Sequence, residues 1–588
     1  MKVAELSALA VQVVRGRWFT VFASFLVMAA SGGIYIFGIY SNDIKTALGY
    51  DQQTLNTLAF FKDLGASVGI ISGLIYEVTP PWVVLALSAG INLFSYLMIY
   101  LAITGRIARP HVWQMCLYLC LGGNAQAFTN TGAVVTCVKN FPASRGVVIG
   151  LLKGYVGLSG AIVTQLYLAF YGGDSRSLVL LIAWLPAAIP LVFISTIRIF
   201  KSTRQPGESS KPFYCFLYVS LFLATFLMVM IVVQKRFTFS HSAYSVSAAI
   251  VLLLLFLPLA VVTKEEFKIF RKKKQSLQDP PPLSVAIETP TVPQPPPPEP
   301  KPTPATASPI KKSSPLSHVI RIFKAPDRGK DYSILQAVVS TDMLILFLST
   351  ISGVGGTLAA IDNMGQIGQS LGYPARSIST FVSLISIWNY AGRVAAGFAS
   401  DIFLAKYKLP RPVLLAAVLL LAGAGHLLIA FGIPGSLYVA SVIIGFSLGA
   451  QVPLLFAIIS EVFGLKYYST LFNFVPLATP IGTYVLNVKV AGKLYDREAA
   501  KQYAKLSGSS VKSLTCTGVQ CFKLSFLIIA AVTVLGALVM LVLVWRTWDF
   551  YKGDMHEKYR EESQGRTHGE ERKNEMIPYT PEERANGT

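Results

Sequence analysis

The sequence has few charged side chains for its length. Only 14% of its 588 residues are Asp, Glu, Lys or Arg, whereas a soluble globular chain carries about 25%. Hydrophobic residues make up 53% and are gathered into long runs with short breaks between them. This pattern excludes an ordinary soluble domain and predicts an all-α polytopic membrane protein.

Motifs of enzymes and of nucleotide-driven pumps are also missing. The sequence has no Walker-type phosphate loop and no nucleophile–base constellation, which argues against ATP-driven pumping and against an enzyme. Its six histidines are scattered, so we expect no metal site and no cofactor. The net charge of +21 needs no nucleic-acid partner, because the loops of a membrane protein that face anionic lipid are rich in Lys and Arg.

Fourteen apolar runs are long enough to cross a membrane. Each has about 20 residues or more, which suits a hydrocarbon core about 30 Å thick. The first run is too long for a cleavable signal peptide. The predicted spans are 18–40, 55–77, 82–104, 112–137, 145–170, 178–200, 213–233, 243–263, 334–358, 376–400, 411–432, 436–460, 468–490 and 524–546.

These spans form two six-helix halves with additional segments. Most Lys and Arg fall on the side that contains both termini, so both termini are predicted to be cytoplasmic. The sequence does not decide between the plasma membrane and the vacuolar membrane. The predicted parts are an N-terminus at 1–17, a half at 18–200, two extra spans within 201–263, a loop at 264–332, a half at 333–547 and a tail at 548–588.

The loop at 264–332 is basic and then rich in proline. It starts with "KEEFKIFRKKK", which we expect to lie against the inner leaflet, and continues into "PQPPPPEPKPTPATASP". Such a tract cannot build a core and is expected to be disordered or partly polyproline II. Two interpretations stay open: a plain linker, and a ligand for an SH3-like or WW-like partner.

Two of the six cysteines share a short polar stretch. Cys516 and Cys521 lie in the loop 489–523, on the predicted outer side. A local disulfide is favoured there over two free thiols, because that side is oxidising at a cell surface. The spacing does not suit a zinc site. The other cysteines lie in apolar runs, where Cys is usually a small core residue.

The two halves repeat one another. The second span ends with Gly73 and, four residues later, Glu77; the tenth ends with Gly397 and Asp401. Both spans follow the tripeptide Leu-Gly-Tyr. Two similar six-helix halves resemble the major facilitator superfamily, and the stretch from Gly397 to Asp401, with basic residues after it, resembles that superfamily's cytoplasmic-loop motif. The first copy departs from the motif, with Glu for Asp and "VTPPW" where basic residues usually stand.

A closer resemblance covers nearly the whole chain. The segments "RWFTVFASFLVMAASGGIYIFGIYSNDIKTALGY", "FTNTGAVVTCVKNFPASRGVVIGLLKGYVGLSGAI" and "IDNMGQIGQSLGYPARSISTFVSLISIWNYAGR" resemble plant nodulin-like membrane proteins, distant relatives of monocarboxylate and oxalate/formate porters. The resemblance implies alternating access by two rocking halves around a central site. It does not indicate a substrate.

Arg393 lies within the tenth predicted span. A buried arginine costs roughly 3 kcal/mol or more at mid-helix, so it is expected to face a wet cavity or the bundle interior. The resemblance to monocarboxylate porters matches it to their substrate-binding arginine. Those porters have Asp where this chain has Asn389, which cannot titrate, so proton coupling at that position is in doubt. The alternative role for Arg393 is a gate ion pair or a donor to helix carbonyls.

The first half has charges of its own inside its spans. Lys62 and Asp63 are adjacent in the second span, where Asp63 is either a coupling carboxylate or the partner of a lysine. Successive helical residues point about 100° apart, so both cannot face one point. Lys153 in the fifth span either contacts substrate or extends its ammonium group toward the cytoplasmic surface of the membrane. Arg145 matches the arginine of the porter signature that enters this helix.

Polar side chains in other spans could complete a substrate site. Gln126 and Asn130 share a face of the fourth span at i and i+4, and Gln451 repeats Gln126 in the second half. For each, hydrogen bonding between helices is the equally weighted alternative. Further candidates are Asn124, Thr131, Asn473 and Tyr484.

Two functions of different classes remain. The first is a secondary transporter, a symporter or antiporter, of a small polar and anionic solute that moves by alternating access across the lipid bilayer. The second is a membrane receptor or scaffold that does not transport and signals through the proline-rich loop. Buried charge in both halves favours the transporter.

Overall fold

The computed structural model describes residues 3–50, 52–172, 174–200, 211–237, 239–278, 326–505 and 516–553. Within these ranges the regular elements are all helices. The proline-rich tract from 279 to 325, on which the SH3-like or WW-like partner was predicted, lies outside the described residues, as does the tail from 554.

The described part of the N-terminal half has ten α-helices. A 3₁₀ helix, Gly33–Ile36, separates α2 from α3, and a π-helix, Thr131–Val135, separates α7 from α8. The bounds are α1 Val3–Arg15, α2 Arg17–Ala30, α3 Phe37–Leu48, α4 Gln52–Ser67, α5 Ile70–Val78, α6 Pro81–Ile103, α7 Val112–Asn130, α8 Thr136–Asn140, α9 Arg145–Tyr171 and α10 Ser175–Val192.

Three further helices precede the C-terminal half. They are α11 Lys211–Arg236, α12 His241–Phe256 and α13 Pro258–Gln278. In the C-terminal half, a long π-helix, Tyr484–Gly492, lies between α20 and α21. Its helices are α14 Ile334–Val339, α15 Thr341–Ser370, α16 Ala375–Tyr407, α17 Arg411–Phe431, α18 Ser436–Val462, α19 Tyr468–Phe474, α20 Ala478–Thr483, α21 Lys493–Lys505 and α22 Gln520–Lys552.

The number of membrane spans is not settled at fourteen. In the described part, ten helices are long and apolar enough to cross a membrane, and eleven if the bent pair Ser7–Arg15 and Arg17–Ala30 counts as one span. Breaks explain part of the difference: the predicted span 18–40 is helical only up to Ala30 and resumes at Gly33. The count of fourteen therefore stays a prediction, whereas the multi-pass helical architecture is observed.

The two halves meet along α9 and α16, and both helices have glycine at the points of closest approach. A Cβ placed on Gly150 would lie 2.8 Å from the carbonyl oxygen of Arg393, and one on Gly397 would lie 2.5 Å from the carbonyl oxygen of Gly146. Any side chain at these positions would clash with backbone. The glycines therefore let two helices from different halves approach at backbone distance.

The extra helices touch both halves. Gln165 of α9 and Gln234 of α11 exchange two hydrogen bonds of 3.1 and 2.9 Å, and the Ser247 hydroxyl of α12 donates to Gln165 at 2.9 Å. On the other side, the Tyr390 hydroxyl of α16 donates to Ser220 of α11 at 2.8 Å. These helices are therefore fixed to the N-terminal half and hydrogen-bonded to the C-terminal half.

The segment predicted to be disordered from 264 begins instead as helix. The helix α13 continues the second extra span as far as Gln278 and packs beside α1. Glu266 explains this order: its buried carboxylate accepts from Gln12 Nε2 at 3.0 Å and from the backbone N–H of Trp18 at 3.3 Å. The first-turn N–H groups of α2 need such an acceptor.

The predicted outer loop 489–523 is partly helical, because α21 occupies 493–505. Cys516 and Cys521 are joined by a disulfide. The N–H of Gly518, between them, donates to the Ser370 carbonyl at the C-terminal end of α15 at 2.7 Å. We call this end of the bundle the disulfide end, and the opposite end, with Glu77 and Asp401, the motif end.

Candidate functional site

Lys153 brings a buried positive charge to the contact between the halves. It lies on α9 with 8% of its surface exposed, and its Nζ donates to Asn130 Oδ1 at 2.9 Å. The ammonium also lies 5.1 Å from the ring centroids of both Phe456 and Phe472, which belong to the other half. A lysine of one half is thus held against aromatic faces of the other by cation–π attraction.

Arg393 supplies a second buried cation beside the first. It is 7% exposed, and its terminal nitrogen Nη1 donates to the backbone carbonyl of Lys153 at 2.7 Å. Within the described residues its Nε has no hydrogen-bond partner, and neither has the side-chain oxygen of Asn389 one turn earlier. The guanidinium therefore keeps an unused donor in the interior of the bundle.

The two cations have no acidic partner in the described part of the chain. Neither Lys153 nor Arg393 takes part in any salt bridge there. Burying a charge without a counter-charge is expensive. An anion placed between them would supply the missing negative charge.

The polar neighbours predicted for this site are placed differently. Asn130 belongs to it, and its own Nδ2 is held by the backbone carbonyl of Gln126 at 2.8 Å, which aims its oxygen at Lys153. Gln126 is buried one turn earlier on the same helix. Gln451 is buried on α18, where its Nε2 donates to the Ser447 carbonyl at 3.1 Å.

Four further candidates lie outside this contact. Asn124 Nδ2 donates to the carbonyls of Gly65 and Val68, at the break between α4 and α5. Asn473 donates to the Thr131 hydroxyl at 2.7 Å and so joins the halves. Tyr484 is partly exposed, at 46%. Asn124 thus stabilises a helix break, and the pair of Asn473 and Thr131 forms a bond between helices.

Lys62 and Asp63 pair with each other, which agrees with the alternative in which Asp63 is the partner of a lysine, although these adjacent residues were predicted not to face one point. The Lys62 Nζ lies 2.8 Å from Asp63 Oδ1, with side chains 12% and 66% exposed. Asp362 of α15 is a further acid within a span, and its Oδ2 accepts from Asn487 Nδ2 at 3.0 Å. Sequence reasoning missed Asp362, because it placed the end of that span at 358 whereas α15 continues to Ser370.

At the motif end, the carboxylate of Asp401 binds the start of a helix in the other half. It accepts from the backbone N–H groups of Gly146 at 3.2 Å and Val147 at 2.8 Å, the first turn of α9. Arg145, beside them, reaches the Ser460 carbonyl at the end of α18 at 2.6 Å. Free N–H groups and the helix dipole both favour an anion there.

A buried arginine neutralises this carboxylate. Arg411 lies at the start of α17, and its Nη2 lies 2.5 Å from Asp401 Oδ1. Its Nε donates to both oxygens of Glu461 at 2.8 and 3.0 Å, and Tyr551 also donates to Glu461 at 2.9 Å. Sequence reasoning missed Glu461. An acid directly after the long apolar run of α18 was the available signal.

Glu77 occupies the corresponding place in the other half. Its Oε1 accepts from the Ser469 hydroxyl and from the backbone N–H of Thr470 at 3.4 Å, in the first turn of α19. Gly73 permits the approach, since a Cβ there would lie 2.6 Å from the Ser469 carbonyl oxygen. Its nearest cation is Lys139, 3.9 Å away. The predicted gating residues thus meet the opposite half in two related places.

Two sequence families match this chain in succession. The family described as Nodulin-like matches residues 17–263, and the one described as NFD4, C-terminal domain, matches residues 336–553. The chain belongs to the nodulin-like family. A similar curated protein is Protein NUCLEAR FUSION DEFECTIVE 4 of Arabidopsis thaliana, 24% identical over 551 residues, which cover 91% of this chain and 89% of that protein.

Other relatives of this nodulin-like chain are more distant. Probable transporter MCH1 of Yarrowia lipolytica is 30% identical over 195 residues, covering 31% of this chain and 38% of that protein. Among solved structures, a double-tryptophan mutant of XylE aligns with a TM-score of 0.52 at 13% identity, covering 89% of this chain and 94% of that one. The fold is that of the major facilitator superfamily.

Proposed function

We propose that this nodulin-like protein is a secondary transporter of a small polar, anionic solute, working by alternating access. The observation that carries the proposal is the meeting of Lys153 and Arg393, buried cations of opposite halves without an acidic partner among the described residues. A solute carboxylate or similar group would compensate them. Probable transporter MCH1, similar over part of the chain, agrees with this class.

The distribution of contacts between the halves supports alternating access. Hydrogen bonds from Arg145, Asp401 and Glu77 join the halves at the motif end. Arg393 itself donates across the contact to the Lys153 carbonyl, so rocking of the halves changes the surroundings of both cations together. This is the coupling between site and gate that a transporter requires.

Transport would be tested by reconstituting the purified protein and supplying monocarboxylates, dicarboxylates, phosphate, amino acids and sugars. We expect uptake of an anion from this panel. Arg393→Lys keeps the charge without the planar fork, and Arg393→Gln removes both. Affinity should fall in that order, by about 1.5–3 kcal/mol for a lost charged hydrogen bond. Arg176→Gln, which makes the same change at an exposed arginine at the start of α10, is the matched control and should change affinity less.

Correctly folded Arg393→Gln protein that carries the solute with unchanged affinity would make this arginine structural. A complete lack of flux for every solute, with intact protein, would instead favour a receptor or scaffold that signals through the proline-rich loop. Binding of SH3 or WW domains to the full chain, lost on replacing the prolines of 290–304, would then identify that partner.

We further propose that both termini face the cytosol, because Lys and Arg collect on that side of the predicted topology. The disulfide end then faces the exterior or the vacuolar lumen, which suits an oxidised cysteine pair. Tags at residue 300 and at the C-terminus should be equally accessible to protease from the cytosolic side. Opposite accessibility of the two tags would contradict this orientation.

A further inference from the structure

We infer that α11, the first of the extra helices, positions Arg393 for anion binding through a hydroxyl pair made by Ser220 and Tyr390. The inference rests on the proposed anion transport, and it assigns a role to a helix outside the two halves. Tyr390 lies one helical turn before Arg393 on α16. It is a positioning residue, because it acts on the solute only through the arginine.

The first step is a hydroxyl pair buried between two helices. The Tyr390 hydroxyl donates to Ser220 Oγ at 2.8 Å, and the Ser220 hydroxyl donates to the Leu217 carbonyl at 2.9 Å. Tyr390 is 2% exposed and Ser220 is 1% exposed. Each hydroxyl uses its proton inside the protein, so the tyrosine ring is held in one direction.

The second step is the packing of Tyr390 on α9, which lies between its own helix and α11. A Cβ placed on Gly154 would lie 3.2 Å from Cε2 of the Tyr390 ring, so the ring packs on the surface that this glycine leaves open. One turn later, a Cβ on Gly157 would lie 3.9 Å from Cδ of Arg393. The tyrosine ring and the arginine stem therefore occupy neighbouring places along α9, and what fixes one also restricts the other.

The third step is the direction of the guanidinium. Nη1 of Arg393 donates to the Lys153 carbonyl at 2.7 Å, and its Nε has no partner among the described residues. The guanidinium is planar, so the direction of its remaining donors depends on the rotation of α16. Tyr390 fixes that rotation, and the unused donor is therefore presented in one direction.

The fourth step is the attachment of α11 itself. Gln234 of α11 and Gln165 of α9 exchange two hydrogen bonds, and the Ser247 hydroxyl of α12 donates to the same Gln165. Toward the motif end, the rings of Tyr214 and Phe398 lie 5.4 Å apart and form a second contact of α11 with α16. The helix is therefore tied to the N-terminal half while it supports the arginine helix at two points.

The consequence is that the affinity of the site depends on two hydroxyls that the solute does not reach. Tyr390 lies at the level of the site about which the halves rock, so the pair can persist while the ends of the bundle open and close. Loss of either hydroxyl widens the range of directions of the guanidinium and reduces its preorganisation for a carboxylate. The expected effect is therefore on KM rather than on kcat.

The inference is tested by the flux of labelled pyruvate, malate and inorganic phosphate into proteoliposomes. For each anion that is carried, Tyr390→Phe and Ser220→Ala should raise KM by about three- to tenfold, as expected for one lost hydrogen bond, and leave kcat within about twofold. The double variant should be no worse than either single one. Ser220→Thr keeps the hydroxyl and should retain the wild-type KM. Tyr218→Phe, the same change at an exposed tyrosine of α11, is the matched control.

A double-mutant cycle with Arg393 separates positioning from a general structural effect. A lysine ammonium donates in any direction, so it does not need the orientation that Tyr390 supplies. In the Arg393→Lys background, Tyr390→Phe should therefore raise KM by less than about twofold. A tyrosine that served only to hold the helices together would have the same effect in both backgrounds.

A second measurement needs no solute. Spin labels attached to a ketone-bearing phenylalanine analogue at Phe222 of α11 and Phe403 of α16, both exposed, report the placement of the two helices by pulsed electron paramagnetic resonance. In lipid nanodiscs, we expect a narrow distance distribution for the wild type and for Tyr218→Phe. The distribution should be broader for Tyr390→Phe and for Ser220→Ala.

A wild-type KM in Tyr390→Phe, or an equal effect of this change in both arginine backgrounds, would overturn the inference. Unchanged distance distributions in both hydroxyl variants would do the same. Should Tyr390→Phe fail to fold, the contrast between Ser220→Ala and Ser220→Thr decides in its place. Absent flux of every solute together with a broadened distribution would defeat the proposed transporter and leave the positioning of α16 by α11 standing.

Discussion

Two acidic residues close the motif end in the same way, yet their surroundings differ sharply. Asp401 of α16 and Glu77 of α5 each follow a glycine by four residues and accept hydrogen bonds from the first turn of a helix in the opposite half. Asp401 is neutralised by a buried arginine at 2.5 Å. The cation paired with Glu77 in the described part of the chain is Lys139, at 3.9 Å.

This difference shows that the contact between the halves needs the acid but not a common set of partners. In the C-terminal copy, Arg411 binds two acids, and Tyr551 from the last helix completes the network. In the N-terminal copy, a serine hydroxyl and a backbone N–H take that place. The C-terminal copy should therefore contribute more to stability, whereas the N-terminal copy should break more readily as the halves move.

The largest effect is expected from Arg411→Met. It leaves the buried carboxylate of Glu461 and the partly exposed one of Asp401 without their cation, and removing one partner of a buried ion pair costs about 3–5 kcal/mol. Thermal unfolding of the purified protein should show a large decrease in Tm. Arg411→Lys keeps the charge but cannot contact both acids in the same way. Its Tm should lie between those of the wild type and Arg411→Met. A Tm near that of the wild type for Arg411→Met would remove the proposed asymmetry.

An intermediate effect is expected from Asp401→Asn. The amide retains the shape of the carboxylate but loses the charge-assisted hydrogen bonds from the N–H groups of Gly146 and Val147. We expect this loss to lower the free energy of unfolding by about 1.5–3 kcal/mol. It also leaves Arg411 with Glu461 as its remaining acid. Hydrogen–deuterium exchange should increase in the first turns of α9. If exchange in α9 stays at the wild-type rate, Asp401 does not hold the halves together.

Glu77→Gln should have a smaller effect on the corresponding turn of α19. The amide oxygen can still accept from Ser469 and Thr470, and the lost ion pair is long. Exchange in 468–474 should rise less than exchange in α9 does for Asp401→Asn. An equal or larger rise would show that the two copies are equivalent in strength despite their different partners.

The smallest effect is expected from Lys139→Gln. The 3.9 Å separation from Glu77 is the limit of an ion pair, so we expect less than about 1 kcal/mol of stability to be lost. Lys139 also lies 5.0 Å from the ring of Tyr76, so Lys139→Arg is a control that keeps both charge and ring contact. A loss as large as that for Arg411→Met would mean that Glu77 depends on its lysine.

The sequence by itself determined the class of fold, because the length of each apolar run and the repeat of similar runs in the two halves can be read directly along the chain. It also indicated where the gating acids lie, since glycine followed after three residues by an acid recurs in both halves. Arg393 and Lys153 stood out because charge is rare within apolar runs. The ends of helices were less certain, and Asp362 and Glu461 were missed at such ends.

Only the tertiary structure decided which charges meet. Lys153 and Arg393 are 240 residues apart, and Arg411 lies 50 residues from Glu461. No periodicity in the chain indicates that Lys153 and Arg393 share no acid among the described residues, while Arg411 binds two acids. The reason is physical: the cost of a buried charge depends on neighbours brought by other helices, and glycine contacts between α9 and α16 set those neighbours at a distance of a few ångströms.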